Sequence, residues 1–167
     1  TCSRQPPFAE ANAAVLRDVG KADLDAAERQ VGIFCDADVL IAGAASTTGA
    51  SHILLRLAEL TLVKCLTSQY AVNEAERNLS AKLPAALAPF QLILKAAVTI
   101  LPPPSSSAIQ SVTRQAHAKD VPILAAAVAN EADFLATFNV RHFHPRKLAP
   151  LIRRPGELVA HVRRSLV

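Results

Sequence analysis

The sequence holds no methionine and no tryptophan, and only one tyrosine and six phenylalanines among 167 residues. Stacking platforms for unpaired bases are therefore sparse, which weighs against sequence reading of single-stranded nucleic acid. Cysteine is scarce too: Cys2, Cys35 and Cys65 are an odd number with no CxxC spacing, and Cys35 and Cys65 lie inside apolar runs. They support neither a disulfide framework nor a zinc site, and read instead as small hydrophobes. The apolar stretches, such as "VGIFC" and "PILAAAVA", fall well short of the roughly 20 residues that a bilayer span needs. No basic stretch followed by an apolar run and a cleavage site opens the chain, so no membrane association and a cytoplasmic location are expected. Thr1 stands first with no methionine anywhere, so a trimmed or processed N-terminus is expected. There is no internal repeat.

What is present fits one domain of ordinary size, able to bury a core without staples. Hydrophobic residues make up 51% and charged residues 19%, and the abundance of Ala and Leu favours helix. The formal net charge of +4 is uneven: Arg141, Arg146, Lys147, Arg153, Arg154, Arg163 and Arg164 stand against Glu157 alone in residues 141–167. Such a cluster suits a polyanion-binding surface, although a solvated helix face produces the same pattern.

Residues 1–30 read as an N-terminal, helix-compatible extension broken at Gly20, and residues 31–167 as the main domain. "VGIFC" is a short strand, "AGAASTTG" a loop, and "ASHILLRLAEL" a helix with Ile53, Leu54, Leu57 and Leu60 at helical spacing. "TLVKCL" is the next strand, followed by a helix capped by Ser68 with Ala71, Val72, Ala75 and Leu79 along one face. "PAALAPFQLILKAA" is a helix that Pro89 must start, kink or break, "VTIL" a strand and "PPPSSS" a loop. A helix over residues 107–118 precedes one opened by Asp120 at its N-cap with Pro122 in the first turn. "DFLATFN" is a strand ending at Asn139, and Pro155 starts a last helix.

This alternation predicts an α/β fold, a three-layer α/β/α sandwich with a central parallel sheet of four or five strands. Ligands in such folds sit at the carboxyl ends of the strands, where strand order reverses. Asp36 and Asn139 end strands on this reading, and Asp120 opens a helix leading into the second of them. An ionised Asp36 between the apolar runs of "IFCDADVLIAGA" is costly to bury alone, so it either caps a helix or holds a cation.

In that order, "FCDADVLIAG", "TSQYAVNEAERNL" and "AKDVPILAAAVANEADFLATFNVRHF" resemble the PIN-domain family of metal-dependent ribonucleases, which includes the VapC-like toxins of toxin and antitoxin pairs. The resemblance covers residues 31–158. It implies that Asp36, Glu74 and Asp120 are the catalytic acids and metal ligands, with Asn139 in a fourth ligand position that is often Asp. Asp38, Ser68 and Thr137 match polar positions that support the site. Lys119 stands where a second acid is common, and it either lowers the local negative charge or contacts a substrate phosphate.

Converging carboxylates repel and raise one another's pKa unless a divalent cation neutralises them. Oxygen ligands of this kind suit Mg²⁺ or Mn²⁺. The implied reaction is phosphodiester hydrolysis, with the cation activating water and stabilising phosphate charge, and a second ion, if present, aiding the leaving oxygen. Asn139 supplies oxygen without charge, so weaker metal binding is expected.

Each residue also has a plainer role. Asp120 is an N-cap in any case, Glu74 and Glu76 suit a solvated face, and Asp133 caps or braces the strand entry, while being the nearest substitute for Asn139. His142 and His144 without a third ligand are a weak zinc signal, and surface or packing roles are favoured. Two competing functions remain: a PIN-like domain that binds RNA or protein without cutting, motivated by Asn139 and Lys119, and a haloacid-dehalogenase-type phosphatase with Asp36 as nucleophile. The latter lacks a later acid pair, since "ATFNVRHF" offers Asn139 instead. Structured RNA gripped through its backbone is the expected substrate. The resemblance further implies a homodimer and, for toxin members, a small antitoxin protein covering the acidic cleft.

Overall fold

The computed structural model describes residues 29–166. The expected N-terminal extension, residues 1–30, lies outside the described residues except for Arg29 and Gln30. From Val31 onward the chain forms one compact unit. Five short strands, β1 (Gly32–Cys35), β2 (Lys64–Ser68), β3 (Val98–Leu101), β4 (Phe134–Ala136) and β5 (Leu151–Arg153), pair in parallel in the order β3-β2-β1-β4-β5. Every residue of β1 is buried, as expected of a central strand covered on both faces, where alternation gives way to a continuous apolar run. Ile33 aligns with Cys65 on one side and with Phe134 on the other.

Seven α-helices cover the sheet among the described residues: α1 (Ala37–Ala45), α2 (Ala50–Glu59), α3 (Gln69–Lys82), α4 (Leu87–Ala97), α5 (Ser106–Val112), α6 (Val121–Ala129) and α7 (Pro155–Ser165). In α6 the run from Ile123 to Ala127 is buried all round, which is how a helix apolar on every face is accommodated. Between α1 and α2, a Cβ on Gly43 would lie 2.4 Å from Leu55 Cδ1. Any larger residue there requires the Leu55 side chain to shift. None of the described helices is long and apolar enough to cross a membrane.

Several boundaries differ from the sequence reading for local reasons. The loop expected at "AGAASTTG" begins later, because α1 continues to Ala45. The strand expected from Thr61 starts at Lys64, since Thr61 takes a left-handed φ of 59° that closes the end of α2. Residues 84–86 form a 3₁₀ turn, and Pro89 falls in the first turn of α4, where its missing N–H does no harm. The helix expected over residues 107–118 stops at Val112, because Ala116 leaves it to bridge Phe143. β4 ends at Ala136 rather than Asn139, and β5, with only Ile152 buried, had no pattern by which to be seen.

Candidate active site

The chain winds outward from β1 through β2 to β3, then crosses back to lay β4 on the other side of β1. That reversal puts a switch point between the carboxyl ends of β1 and β4. Asp36 follows β1 directly, and its N–H donates to the Ala136 carbonyl at 3.0 Å, the last residue of β4. Its backbone is extended, its Oδ1 accepts from Ala37 N–H at 2.8 Å as the N-cap of α1, and its Oδ2 accepts from the Thr137 hydroxyl at 3.0 Å. The helix dipole and two donors meet the carboxylate where burial penalises it. Burial still wins: it pushes the Asp36 carboxyl up to about 7, with the Asp38 and Asp120 charges adding to the rise and the two hydrogen bonds opposing it.

Asp38, in the first turn of α1, gathers the loop after β4. Its Oδ2 accepts from Thr137 Oγ1 at 3.3 Å, Phe138 N–H at 2.9 Å and Asn139 Nδ2 at 3.1 Å. Its Oδ1 is buried and meets no hydrogen-bond partner among the described residues. Burial raises the Asp38 carboxyl as well, backbone and Thr137 donors oppose this, and the Glu74 charge adds to it. Thr137 itself is buried and accepts from Asn139 N–H at 3.0 Å, so one hydroxyl organises both acids and the turn that leaves β4. Asn139 is exposed, with its amide nitrogen committed to Asp38.

Ser68 ends β2 and caps α3, its buried Oγ accepting from Ala71 N–H at 3.3 Å. That cap fixes where α3 begins, and Glu74 then falls on a half-buried face whose charge reaches Asp38. Glu76 lies elsewhere, lining a separate surface groove with Tyr70, Asn73 and Arg77.

Asp120 stands before α6 with helical backbone angles and makes no side-chain cap bond. The N-cap role expected for it is thus corrected: its Oδ2 instead meets His142 Nδ1 at 2.9 Å, while its charge also reaches Asp36. Asp133 keeps the bracing role expected of it, and only its standing as a substitute for Asn139 is corrected. It stands at the amino end of β4, where its Oδ2 accepts from Gly32 N–H at 2.7 Å. It braces the entry of β1 at the edge opposite Asp36 and cannot substitute for Asn139. Lys119 is exposed in the 3₁₀ turn Ala118–Asp120.

Sequence reasoning missed His117, whose ring stacks on His142 with centroids 4.2 Å apart. The signal was the three-residue spacing in "HAKD". It also missed that Arg153 sits at the same edge, its carbonyl accepting from Thr137 N–H at 3.0 Å, with Arg153, Arg154 and Arg141 all exposed. Beneath Asp36, Cys35 and Cys65 are free buried thiols with Sγ atoms 3.7 Å apart, and their contact and burial hold the Cys35 thiol well above its ordinary value.

A family profile described as a PIN domain matches residues 33–141. No curated protein sequence matches the chain. Among solved structures, PAE2754 from Pyrobaculum aerophilum is 20% identical and superposes with a TM-score of 0.57, over 80% of this chain and 90% of that one. VapC20 of Mycobacterium tuberculosis, described as a Sarcin-Ricin loop cleaving toxin, is 16% identical with a TM-score of 0.45, over 62% of this chain and 86% of its own. The likeness to PAE2754 supports the α/β fold, and the profile match across the switch point supplies the kinship: the chain belongs to the PIN-domain family, whose members are generally nucleases.

Proposed function

We propose that this protein is a divalent-metal-dependent endoribonuclease that grips structured RNA through its backbone. The observation that carries this reading is the pair Asp36 and Asp38: two neighbouring carboxyls raised by burial, one to about 7, with Asp38 Oδ1 buried and without a partner among the described residues. Buried charge of one sign with an orphaned oxygen is what a cation relieves. The residues that would hold it are Asp36, Glu74 and Asp120 through carboxylate oxygen and Asn139 through amide oxygen, with the unpartnered Asp38 Oδ1 close by, and such oxygen donors are the type that Mg²⁺ or Mn²⁺ takes. Such an ion supplies Lewis acidity to the phosphate and makes water a better nucleophile at neutral pH.

The chain's own groups do the rest. Thr137 orients Asp36, and Ser68 sets the start of the helix that presents Glu74. Exposed Arg141, Arg153 and Arg154 lie on segments that flank Thr137–Asn139 and suit RNA phosphates, whose neutralisation gives salt-dependent affinity. A homodimer, a small antitoxin partner and a toxin role belong to the same reading through the family. The test is cleavage of a mixed RNA pool in Mg²⁺ or Mn²⁺, comparing the parent with Asp36→Asn. Metal-dependent cleavage that disappears in the variant is expected. RNA binding with no cleavage dependent on Asp36 would instead establish the non-cutting alternative.

A further inference from the structure

We propose that His117, Asp120 and His142 form a second metal position, one that takes an imidazole-accepting transition ion such as Zn²⁺ or Co²⁺ and adjoins the carboxylate cluster through Asp120. One ligand atom from each residue lies within 4.8 Å of the other two. The proposal goes beyond the nuclease reading, because two of the three donors are nitrogens and neither histidine belongs to the acidic set assigned there.

The backbone holds these groups in place before any ion arrives. Asp120 N–H donates to the His117 carbonyl at 2.8 Å, closing a 3₁₀ turn, and side chains three apart in such a turn emerge on the same side. A second 3₁₀ turn, Val140–His142, delivers the other imidazole. The two segments are fastened together by His117 N–H to the His142 carbonyl at 2.9 Å, by His144 N–H to the Gln115 carbonyl at 2.6 Å, and by the antiparallel bridge of Ala116 with Phe143. This nonlocal clasp supplies the third ligand whose absence from the local sequence made His142 a weak zinc signal.

Ligation requires a modest closure. Donors bound to zinc at about 2.1 Å stand roughly 3.4 Å apart in a tetrahedron, so from separations within 4.8 Å no pair of atoms has to close by more than roughly 1.4 Å, while the 2.9 Å contact of Asp120 with His142 opens slightly. The stacked rings lie 19° from parallel, which directs their lone pairs side by side and not at one point. His117 is exposed, so rotation about its Cβ–Cγ bond turns a nitrogen toward the other two without disturbing the core. Asp120 Oδ2 already faces His142 Nδ1 at 2.9 Å, and an ion inserted there exchanges that contact for two metal bonds. Mg²⁺ prefers oxygen and keeps its waters, whereas imidazole suits zinc and cobalt.

The experiment titrates Co²⁺ into the full chain with millimolar Mg²⁺ present, reading the visible ligand-field bands and the imidazole proton resonances. Parent protein is expected to bind one Co²⁺ here, with the His117 and His142 resonances shifting together. His117→Gln, at an exposed position, and His142→Gln should each weaken binding at least tenfold, while Asp36→Asn changes it less than threefold. Equal affinity in parent and His117→Gln would overturn the proposal. So would equal losses in Asp36→Asn and His117→Gln, which would locate the ion among the carboxylates. Failure of RNA cleavage in every protein bears on the nuclease reading alone and leaves the Co²⁺ comparison intact.

Discussion

Thr137 donates its hydroxyl to Asp36 Oδ2 at 3.0 Å across 101 positions of sequence, joining the end of β4 to the end of β1. The same hydroxyl lies 3.3 Å from Asp38 Oδ2. Thr137→Val keeps the shape and removes the donor, leaving two buried acids short of a partner at a cost of about 1–3 kcal/mol. Because this bond opposes the upward shift of Asp36, its loss raises the carboxyl further and moves the acidic limb of the pH–rate profile to higher pH. Thr137→Ser should restore both. Unchanged melting and an unchanged profile in the valine variant would remove Thr137 from its organising place.

Asp36 makes the metal-free protein less stable as the solution becomes more basic. Its carboxyl titrates near about 7 when folded, against an ordinary value of 3.8, so between these pH values the folded state holds the extra proton. Stability attributable to this group is therefore highest below about pH 4 and is lost as pH rises through 7. The full shift amounts to no more than about 4.5 kcal/mol at roughly 1.4 kcal/mol per unit. Asp36→Asn, which keeps a capping side chain, should flatten the dependence and melt higher than the parent at pH 8 in chelator. Parallel urea midpoints for the two proteins from pH 5 to 8 would contradict this.

Asn139→Asp should act in opposite directions with and without metal. Asn139 Nδ2 donates to Asp38 Oδ2 at 3.1 Å, so the acid variant exchanges a hydrogen bond for repulsion and lowers the melting temperature in chelator. With Mn²⁺ the added charge should tighten binding roughly tenfold, as ligand charge does at hard-cation sites. Calorimetric titration of both proteins decides the matter, and no gain in affinity would show that this position does not face the ion.

Asp133→Ala separates fold from chemistry. The change leaves Gly32 N–H without its 2.7 Å acceptor and should cost about 1–3 kcal/mol of stability. Cleavage per folded molecule should stay at the parent level, since Asp133 lies at the opposite edge of the sheet. A selective loss of activity at temperatures where the variant remains folded would contradict that assignment.

The parallel sheet was readable because "GIFC" and "FLA" are apolar runs too short for helices, separated by segments with helical spacing. β5 was not, because three residues with one buried side chain carry no period. The cap bond expected of Asp120 fails for a related reason. An acid before "VPILAAA" looks like a cap, but its carboxylate is drawn away by His142, which only the long-range clasp between residues 115–117 and 142–144 brings near. Asp133 was legible as a brace because it opens the strand run, and only the sheet order shows that this puts it at the end away from Asp36. The motif residues Asp36, Asp38 and Thr137 were found in the sequence as types and spacings, whereas the sharing of one hydroxyl by both acids depends on β1 and β4 being neighbours.

The distance in sequence between Asp36 and Thr137 also sets when the cluster first exists during synthesis. A ribosome that has delivered β1, β2 and β3 has produced three strands of the sheet but no loop to clasp Asp38. Asp36 and Asp38 acquire their shared donor only after the segment following β4 has cleared the exit tunnel. A chain broken off before that point lacks the assembled carboxylate cluster, however well its first half has folded.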